Sequence, residues 1–260
     1  VVIDEQQRFG VRQRAILENK GQDPDILVMT ATPIPRTLAL AIYGGLDMSV
    51  IDELPPGRKE VKTKYINRKY RFQGYEFIRK QVLGGARTFI VCPLVEESEH
   101  QDLQDVLSLF NELQEWFAPD IQVGVLHGRM PNEQKNWVME RFKRRDIQVL
   151  ITTTVIEVGI DVPEAAVMQI EHAERFGLSQ LHQLRGRVGR GSRQSYCILC
   201  ADPPNEIALQ RLKAMEKTAD GFELASIDLA LRGPGDFWGT KQHGLDDFKV
   251  LDLTKDKDIM

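Results

Sequence analysis

Residues 122–152 read QVGVLHGRMPNEQKNWVMERFKRRDIQVLIT, two short apolar runs on either side of a longer, mostly polar stretch. The two runs, Gln122–Leu126 and Gln148–Thr152, have the length of buried strands. The stretch Asn132–Lys143 between them has the character of a helix. A strand, a helix and a second strand in succession predict a parallel sheet with helices packed against it.

The same alternation continues in both directions along the chain. Further strands are predicted at Val1–Ile3, Ile26–Met29, Thr88–Cys92, Ala166–Ile170 and Ser195–Cys200, the last of which closes the sheet. Further helices are predicted at Thr37–Tyr43, Arg71–Val82, Leu103–Phe117 and Leu178–Leu184. The pattern then changes to two helices without a strand between them, Ile207–Lys217 and Leu224–Leu231, and a glycine-rich tail, Arg232–Gly244. The sequence therefore predicts an α/β fold followed by two helices and a tail.

Composition limits the kinds of partner and compartment. With 260 residues, 42% of them hydrophobic, the chain can bury a sizeable core. Because the formal net charge is -4, a polyanion such as nucleic acid must be held by a local basic face. No apolar run has membrane-spanning length, and the chain opens without a methionine or a signal peptide. We therefore expect an interior segment of a longer cytoplasmic protein.

Three cysteines occur, and two of them form the pair Cys197-x-x-Cys200. A zinc site needs a second pair of ligands, which the sequence does not contain. The pair also lies in an apolar run, Tyr196–Cys200. We expect these residues and Cys92 to be buried thiols in a reducing compartment.

An acidic pair, Asp4-Glu5, follows the first predicted strand, at the end where open α/β sheets bind ligands. An Asp in this place can hold Mg²⁺, and an adjacent Glu can orient or deprotonate an attacking water. The alternative is a helix N-cap with a first-turn carboxylate. Thr30 and Thr32 close the next strand, where their hydroxyls either link this site to movement elsewhere or cap the following helix.

A basic, glycine-rich stretch, Gln183–Gly191, is the second candidate site. Its residues Arg187 and Arg190 are three apart, so a helical turn would place both guanidinium groups on one face. The flanking glycines remove Cβ atoms that would obstruct a close ligand. Such a pair of cations suits the oxygens of a transferring phosphoryl group; the alternative is a solvated basic loop.

A third candidate site follows the strand Gln148–Thr152. Threonine hydroxyls and backbone N–H groups at a strand end suit a phosphodiester oxygen, and Thr153 is the first residue past this strand. Asp161, further along the same segment, is able to accept a hydrogen bond from a ribose hydroxyl.

These segments together resemble the motor motifs of superfamily 2 helicases and translocases. Asp4–Gln7 is similar to motif II, Thr30–Thr32 to motif III, Thr153–Asp161 to motif V and Gln183–Arg190 to motif VI. The four occur in the order and spacing of that superfamily. The resemblance covers nearly the whole chain and implies RecA-like lobes, each a parallel sheet with flanking helices.

A narrower resemblance is to bacterial translocases of double-stranded DNA. Arg8–Gly10, Thr32–Thr37 and Val158–Glu164 are similar to segments shared by the RecG family, which remodels stalled forks, and the transcription-repair coupling factor. Leu54–Val61 and Leu231–Gly244 resemble RecG in particular. The alternatives are the translocase module of the coupling factor, or a non-catalytic DNA-binding or docking module with degenerate motifs.

The resemblance implies roles for individual residues around ATP and Mg²⁺. Asp4 and Glu5 coordinate Mg²⁺ and activate water, while Arg187 and Arg190 reach the phosphates, Arg190 as the arginine finger. The other implied nucleotide-site residues are Gln183, Asp161, Gly159, Thr30 and Thr32. Thr153 is implied to contact a DNA phosphate, and the two helices after the sheet are implied to form a translocation hairpin. The residues implied to couple ATP turnover to duplex movement are Arg211, Arg232 and Gln242.

The implied organisation is the end of a first RecA-like lobe (1–54), a linker (55–62), a second lobe (63–201), and a translocation hairpin with its tail (202–260). No G-x-x-x-x-G-K-S/T phosphate loop and no wedge domain occur in these residues. We therefore expect the chain to be inactive alone and to depend on the missing N-terminal lobe and wedge. For the parent protein, the resemblance implies a monomer in the bacterial cytoplasm that binds branched double-stranded DNA, such as stalled forks and Holliday junctions.

Overall fold

The computed structural model describes residues 1–5, 25–31, 47–51, 53, 55, 57–93, 99–154 and 162–232. The chain divides into two compact units. One unit consists of Val1–Leu46 together with Gly221–Met260, and the other is Asp47–Asp220. These units do not coincide with the predicted domain boundaries at residues 54 and 201. Those domain boundaries remain predictions.

The first unit contains two short strands and a helix in its described residues. Strand β1 (Val2–Ile3) pairs in parallel with strand β2 (Leu27–Val28), with Ile3 opposite Val28. The N–H of Met29 donates to the carbonyl of Ile3 at 2.7 Å, which extends the pairing to the carboxyl ends of both strands. The polar residues that follow each strand therefore lie at the same edge of this small sheet.

The second unit is built on a six-stranded parallel sheet. Its strands are β3 (Lys62–Asn67), β4 (Arg87–Val91), β5 (Val123–Leu126), β6 (Val149–Thr152), β7 (Ala165–Glu171) and β8 (Tyr196–Ala201). Their order across the sheet is β3-β8-β7-β4-β6-β5, and every pairing is parallel. The prediction of an α/β fold with a parallel sheet is confirmed.

Helices connect these strands and continue past the sheet. They are α1 (Arg71–Leu83), α2 (Glu99–Phe117), α3 (Asn132–Lys143), α4 (Leu178–Arg185), α5 (Glu206–Lys217) and, in the first unit, α6 (Gly221–Arg232). Helix α5 begins where sequence chemistry favours a start, since the Asn205 side chain accepts from the N–H of Ala208. Helix α1 ends before Gly85, which has a φ of 90° that a side chain would oppose.

The central strands are buried along their whole length. Every residue of β4, β6 and β7 is buried, as expected for parallel strands covered by helices on both faces. One hydrophobic core cluster contains Tyr75 and Ile78 of α1, Phe117 of α2 and Ile151 of β6. All four side chains are fully buried. Burying one such side chain stabilises the folded state by about 1.5–3 kcal/mol.

The sequence prediction missed strand β3. The predicted linker covers residues 55–62 and the next predicted element is the helix Arg71–Val82, so the sequence predicts that Ser195–Cys200, which corresponds to β8, closes the sheet. In the structure β8 lies between β3 and β7. Strand β3 is an edge strand in which exposed Lys62 and Lys64 alternate with half-buried Thr63 and Tyr65. This mixed pattern lacks the continuous apolar character of the inner strands.

The outer edge of β3 is covered by helix α5. Glu216 accepts a hydrogen bond from the backbone N–H of Tyr65 at 2.8 Å and forms an ion pair with Lys64 at 3.2 Å. An edge strand presents unpaired backbone groups that otherwise invite pairing with another chain. The side chain of Glu216 occupies one of those groups.

Several predicted elements lie outside the described residues. They are the helix Thr37–Tyr43, most of the tail Arg232–Gly244, and part of the linker. Elsewhere the predicted and observed bounds differ by a few residues: α2 begins at Glu99 instead of Leu103, and α6 begins at Gly221 instead of Leu224.

The three cysteines are free and buried, which confirms that prediction. Burial raises the pKa of the Cys197 thiol to about 12, so the thiol stays protonated and unreactive at neutral pH. Among the described residues, no three His, Cys, Asp or Glu side chains are grouped closely enough to hold a metal ion. In the same residues, no helix combines the length and apolar character needed to cross a membrane.

Candidate functional site

The acidic pair lies at the carboxyl edge of the two-stranded sheet. Asp4 and Glu5 directly follow β1, and Thr30 follows β2 at the same edge. The N–H of Glu5 donates to the Asp4 carboxylate at 2.9 Å. Glu5 has a φ of 50°, in the left-handed region that costs a non-glycine residue roughly 1–2 kcal/mol. The pair is therefore held in a tight, strained bend immediately after the strand.

The donor set of this pair fits Mg²⁺. Asp4 is exposed and Glu5 is half-buried, so the carboxylate of Asp4 is open to an ion. Magnesium takes hard oxygen ligands and commonly uses one or two carboxylates, with waters and phosphate oxygens in its other positions. Thr32, the other threonine predicted here, lies outside the described residues.

The two candidate arginines do not share a helical turn, which corrects one expectation from their spacing. Helix α4 ends at Arg185 and is capped by Gly186. Arg187 and Arg190 lie past this cap, on either side of Gly189, which has a φ of 80°. Arg187 is half-buried and Arg190 is exposed. We call residues Gly186–Gly191 the arginine loop.

The glycines of the arginine loop serve packing against the protein itself. A Cβ on Gly189 would lie 2.7 Å from Cγ2 of Val61, and one on Gly191 would lie 2.6 Å from the carbonyl oxygen of Pro163. Both distances are below any normal contact. The sequence interpretation, in which the glycines make room for a ligand, is therefore not needed to explain them.

Hydrogen bonds from neighbouring segments attach the arginine loop and the residues after it. Arg58 Nε donates to the carbonyl of Gly189 at 3.0 Å. The side chain of Gln194 donates to the carbonyl of Glu60 at 2.8 Å, and the N–H of Lys62 donates to the carbonyl of Ser195 at 3.0 Å. The segment that enters β3 therefore runs alongside this loop.

Arg185 is a third arginine of the same stretch that sequence reasoning missed. It is 4% exposed and donates to the carbonyls of Met215, Thr218 and Ala219 at 3.0, 2.9 and 3.2 Å. These carbonyls lie at and after the C-terminal end of α5, where a cation also interacts favourably with the helix dipole. Burial lowers the pKa of this guanidinium. In the sequence, the only indication that Arg185 matters is its position within the stretch Gln183–Gly191.

Gln183 and His182 lie on α4, next to the arginine loop, and both are half-buried. Burial, reinforced by the nearby Arg185 cation, lowers the pKa of His182 to about 4. The imidazole is therefore neutral at pH 7 and adds no charge beside the arginines.

The carboxyl ends of β5 and β6 form a second place of interest. Leu126 and Thr152 are opposite each other, and the N–H of Thr153 donates to the carbonyl of Leu126 at 3.3 Å. The Thr153 side chain is buried, with the residue 2% exposed. Within the part of the chain that the structure describes, Thr153 Oγ1 and His127 Nδ1 are buried atoms with no hydrogen-bond partner. Because nearly all buried polar atoms are paired, two such atoms at neighbouring strand ends require explanation.

Basic side chains surround this strand end, which we call the β5–β6 edge (His127, Gly128 and Thr153). Lys135 donates to the carbonyl of Gly128 at 2.7 Å. Burial and the positive charges of Lys135 and Arg129 lower the pKa of His127. The edge therefore combines a hydroxyl, an imidazole and two cations, a set that suits a phosphate oxygen.

The remaining predicted residues are placed as follows. Arg211 is half-buried on α5, and Arg232 is the last residue of α6. Gly159, Asp161 and Gln242 lie outside the described residues. The acidic pair belongs to the first unit and the arginine loop to the second.

Two family models match the chain. The helicase conserved C-terminal domain matches residues 73–192, which include the β5–β6 edge and the arginine loop. The C-terminal part of domain 3 of the ATP-dependent DNA helicase RecG matches residues 218–260.

Curated relatives match nearly the whole chain. The ATP-dependent DNA helicase RecG of Bacillus subtilis (strain 168) is 51% identical over 256 residues, covering 98% of this chain and 38% of that protein. The protein of the same name from Thermotoga maritima is 51% identical over 260 residues, covering 100% of this chain and 33% of that protein. The chain thus spans about a third of the length of these relatives.

Solved structures agree with these relatives. A structure of RecG bound to a three-way DNA junction has a TM-score of 0.74 and 48% identity, over 100% of this chain and 33% of that one. Yeast Dbp5 bound to RNA and ADP BeF3, with a TM-score of 0.57 and 16% identity over 89% of this chain and 62% of that one, shows the fold alone. The chain belongs to the RecG family.

Proposed function

We propose that the chain is the motor part of an ATP-dependent helicase that translocates on double-stranded DNA and remodels branched DNA in recombination and repair. The arginine loop carries the proposal: it presents Arg190 to solvent on a backbone attached at Gly189, as a phosphate-binding cation requires. Relatives about half identical over the whole chain are named ATP-dependent DNA helicase RecG. One solved relative is described as bound to a three-way DNA junction.

Asp4 and Glu5 are the acidic residues of the proposed ATP site. They would hold Mg²⁺, with the Asp4 carboxylate exposed to the ion, and Glu5 would orient the attacking water and accept its proton. Magnesium, when bound, neutralises charge on the phosphate oxygens. Thr30, at the same edge, and Thr32 link this site to movement of the rest of the lobe.

Arg187 and Arg190 are the basic residues of the proposed ATP site. Both would contact the ATP phosphates, and Arg190 would stabilise the charge of the transferring phosphoryl group as the arginine finger. Gln183 bridges the nucleotide and the neighbouring motifs. Gly159 and Asp161, in the segment after β6, complete the nucleotide contacts, with Asp161 on the ribose.

The β5–β6 edge contributes a DNA contact. The buried hydroxyl of Thr153 has no acceptor among the described residues, and a phosphate oxygen would supply one. Burial and nearby cations lower the pKa of His127 and keep its imidazole neutral. The neutral ring is suited to donate an N–H hydrogen bond to the DNA phosphate backbone. On the translocation hairpin, the residues that couple ATP turnover to duplex movement are Arg211, Arg232 and Gln242.

The proposed domains are the end of a first lobe (1–54), a linker (55–62), a second lobe (63–201) and a translocation hairpin with tail (202–260). The missing partners are the N-terminal lobe with its phosphate loop and the wedge domain of the same protein. We propose a monomeric parent in the bacterial cytoplasm. The comparisons favour this assignment over a transcription-repair coupling factor or a non-catalytic docking module, because a model specific to RecG matches residues 218–260.

The proposal is tested with the full-length protein that carries this sequence. ATP hydrolysis and strand separation are measured with a three-way junction, a linear duplex of the same length and composition, and a single strand. We expect the junction to stimulate hydrolysis most strongly and to be separated only when ATP is present. Equal stimulation by all three DNAs, or no ATP-dependent separation of the junction, would contradict the proposal.

The 260-residue chain provides a second test. Phosphoryl transfer depends on a phosphate loop that positions the β- and γ-phosphates. Because these residues contain none, we expect the chain alone to give no DNA-stimulated ATP hydrolysis above buffer. Sustained turnover by the purified chain would mean that it binds and cleaves ATP in a way this proposal does not include.

A further inference from the structure

Arg58 contacts the arginine loop from a distant part of the sequence. It lies 131 residues before Gly189, and its Nε donates to the Gly189 carbonyl at 3.0 Å. The side chain is half-buried, and this hydrogen bond directs it onto the loop. The carbonyl it holds belongs to the peptide that joins Gly189 to Arg190.

A tight turn places Arg58 for this contact. The N–H of Arg58 donates to the carbonyl of Pro55 at 3.2 Å, which closes a four-residue turn. Gly57 within this turn has a φ of 81°, a value that glycine adopts without penalty. The turn therefore fixes the backbone from which the Arg58 side chain extends, and the hydrogen bond to Gly189 sets the direction of the guanidinium.

The residues after Arg58 continue along the same loop. A Cβ on Gly189 would come within 2.7 Å of Val61 and 3.8 Å of the carbonyl oxygen of Lys59, so this backbone packs directly against the loop. The Gln194 side chain donates to the carbonyl of Glu60 at 2.8 Å. Contacts from Arg58 to Val61 thus fix Gly189 from one side.

We infer that Arg58 is a positioning residue for Arg190. Its hydrogen bond orients the 189–190 peptide, and this peptide sets the direction in which the Arg190 side chain leaves the backbone. Gly189 has a φ of 80° and no Cβ to restrict it, so an outside contact is needed to hold the peptide in one orientation. This inference deepens the proposed function and rests on it, since it assigns Arg190 to the ATP phosphates.

The chain offers a matched control in Arg193. Its guanidinium also donates to a glycine carbonyl, that of Gly84 at 2.6 Å, from an exposed position three residues after Arg190. Arg193→Ala therefore removes the same kind of side chain and the same kind of hydrogen bond. It leaves the 189–190 peptide untouched.

The first experiment compares steady-state ATP hydrolysis by full-length wild type, Arg58→Ala and Arg193→Ala on a DNA junction. We expect Arg58→Ala to lower kcat on the order of ten- to a hundredfold, as for a misplaced catalytic group, with KM for ATP and melting temperature close to those of Arg193→Ala. A kcat for Arg58→Ala equal to that of Arg193→Ala would overturn the inference. No hydrolysis by the wild type would instead refute the proposed function.

The second experiment uses nucleotide binding, which does not depend on turnover. ADP with aluminium fluoride resembles the transferring phosphoryl group, whereas ADP alone lacks it. We expect Arg58→Ala to weaken binding of ADP with aluminium fluoride about tenfold or more and to leave ADP binding unchanged. Equal weakening of both ligands would show a general structural role and refute positioning of Arg190.

A third variant separates folding from positioning. If Arg58→Ala melts well below Arg193→Ala, Arg58→Gln replaces it in both experiments, because glutamine retains an N–H donor on a shorter side chain. A kcat of Arg58→Gln between those of wild type and Arg190→Ala, at normal melting temperature, supports the inference. Wild-type kcat in a folded Arg58→Gln variant whose shorter side chain leaves the carbonyl unbonded in a crystal structure overturns it.

Discussion

The arginine loop and the β5–β6 edge, the two proposed phosphate-binding places of the second unit, differ in how completely the protein satisfies their polar groups. Around the loop, Arg58 holds the carbonyl of Gly189, and Arg185 holds three carbonyls of the α5 end. At the edge, Thr153 Oγ1 and His127 Nδ1 are buried without partners in the described residues.

This difference separates two ways of building a site. The backbone of the loop is fixed before any ligand arrives, which suits a group that must meet a transferring phosphoryl in one geometry. The edge retains two buried polar atoms that have no hydrogen-bond partner among the described residues. We interpret the loop as preorganised for chemistry and the edge as completed by binding.

Replacing Arg190 is expected to have the largest effect. In the full-length protein, Arg190→Ala should reduce kcat for ATP by roughly a thousandfold or more, the usual contribution of an arginine finger, while nucleotide binding persists. Junction-stimulated ATP hydrolysis and fluorescent-nucleotide binding measure the two. Arg193→Ala is the control. Turnover of Arg190→Ala near the wild-type rate would show that the arginine loop is not part of the catalytic site.

Fixation of the loop backbone is tested by Gly189→Ala against Gly57→Ala. Both glycines have a φ near 80°, but a Cβ on Gly189 meets Val61 at 2.7 Å, whereas one on Gly57 meets nothing within 4 Å. We expect Gly57→Ala to cost about 1–2 kcal/mol from backbone strain and Gly189→Ala about 2–4 kcal/mol from strain and overpacking. Chemical denaturation measures both. Equal losses would show that the contact with Val61 does not fix the loop.

The environment of the loop also predicts a dependence of stability on pH. Burial lowers the pKa of His182 from 6.5 to about 4 in the folded state, whereas the unfolded imidazole keeps its ordinary value. Between these values the unfolded state binds the additional proton, so the free energy of unfolding falls as pH drops from 6.5 towards 4, by on the order of 2–3 kcal/mol. Denaturation of wild type and His182→Gln across this range measures it. An identical slope in both proteins would assign the effect elsewhere.

The β5–β6 edge is tested by Thr153→Val, which retains the shape and removes the unpaired hydroxyl. We expect a melting temperature equal to or above that of wild type, because no hydrogen bond is lost, and DNA binding about tenfold weaker. Thr88→Val is the control, since Thr88 Oγ1 is likewise buried without a partner in the described residues but lies inside β4. Unchanged DNA affinity for Thr153→Val would mean that the edge does not bind DNA.

The inner part of the fold could be predicted from the sequence. Strands β4, β6 and β7 are mostly apolar runs, and α3 has the predicted bounds Asn132–Lys143, because burial and helical spacing leave a direct pattern. Strand β3 could not be found in this way. Its identity depends on pairing with β8, which is distant in sequence, and its exposed lysines conceal the pattern.

The candidate site could be located from the sequence but not built. Motif spacing pointed to Arg187 and Arg190, yet it gave no sign that Gly189 between them packs against Val61, 128 positions earlier in the chain. The role of Arg185 depends on carbonyls 30 to 34 residues later. Local spacing contains no information about such distant partners, so it could not distinguish the anchoring Arg185 from the two arginines proposed to face the ligand.

The contact of Glu216 with β3 limits how helix α5 can move. The Glu216 carboxylate accepts a hydrogen bond from the backbone N–H of Tyr65 at the outer edge of β3. Helix α5 therefore cannot move away from the sheet without exposing an unpaired strand edge. Helix α5 is therefore expected to move together with the sheet as one rigid body. Because Arg185 also holds the carbonyls of Thr218 and Ala219, any rotation of the segment that follows α5 must begin after Ala219.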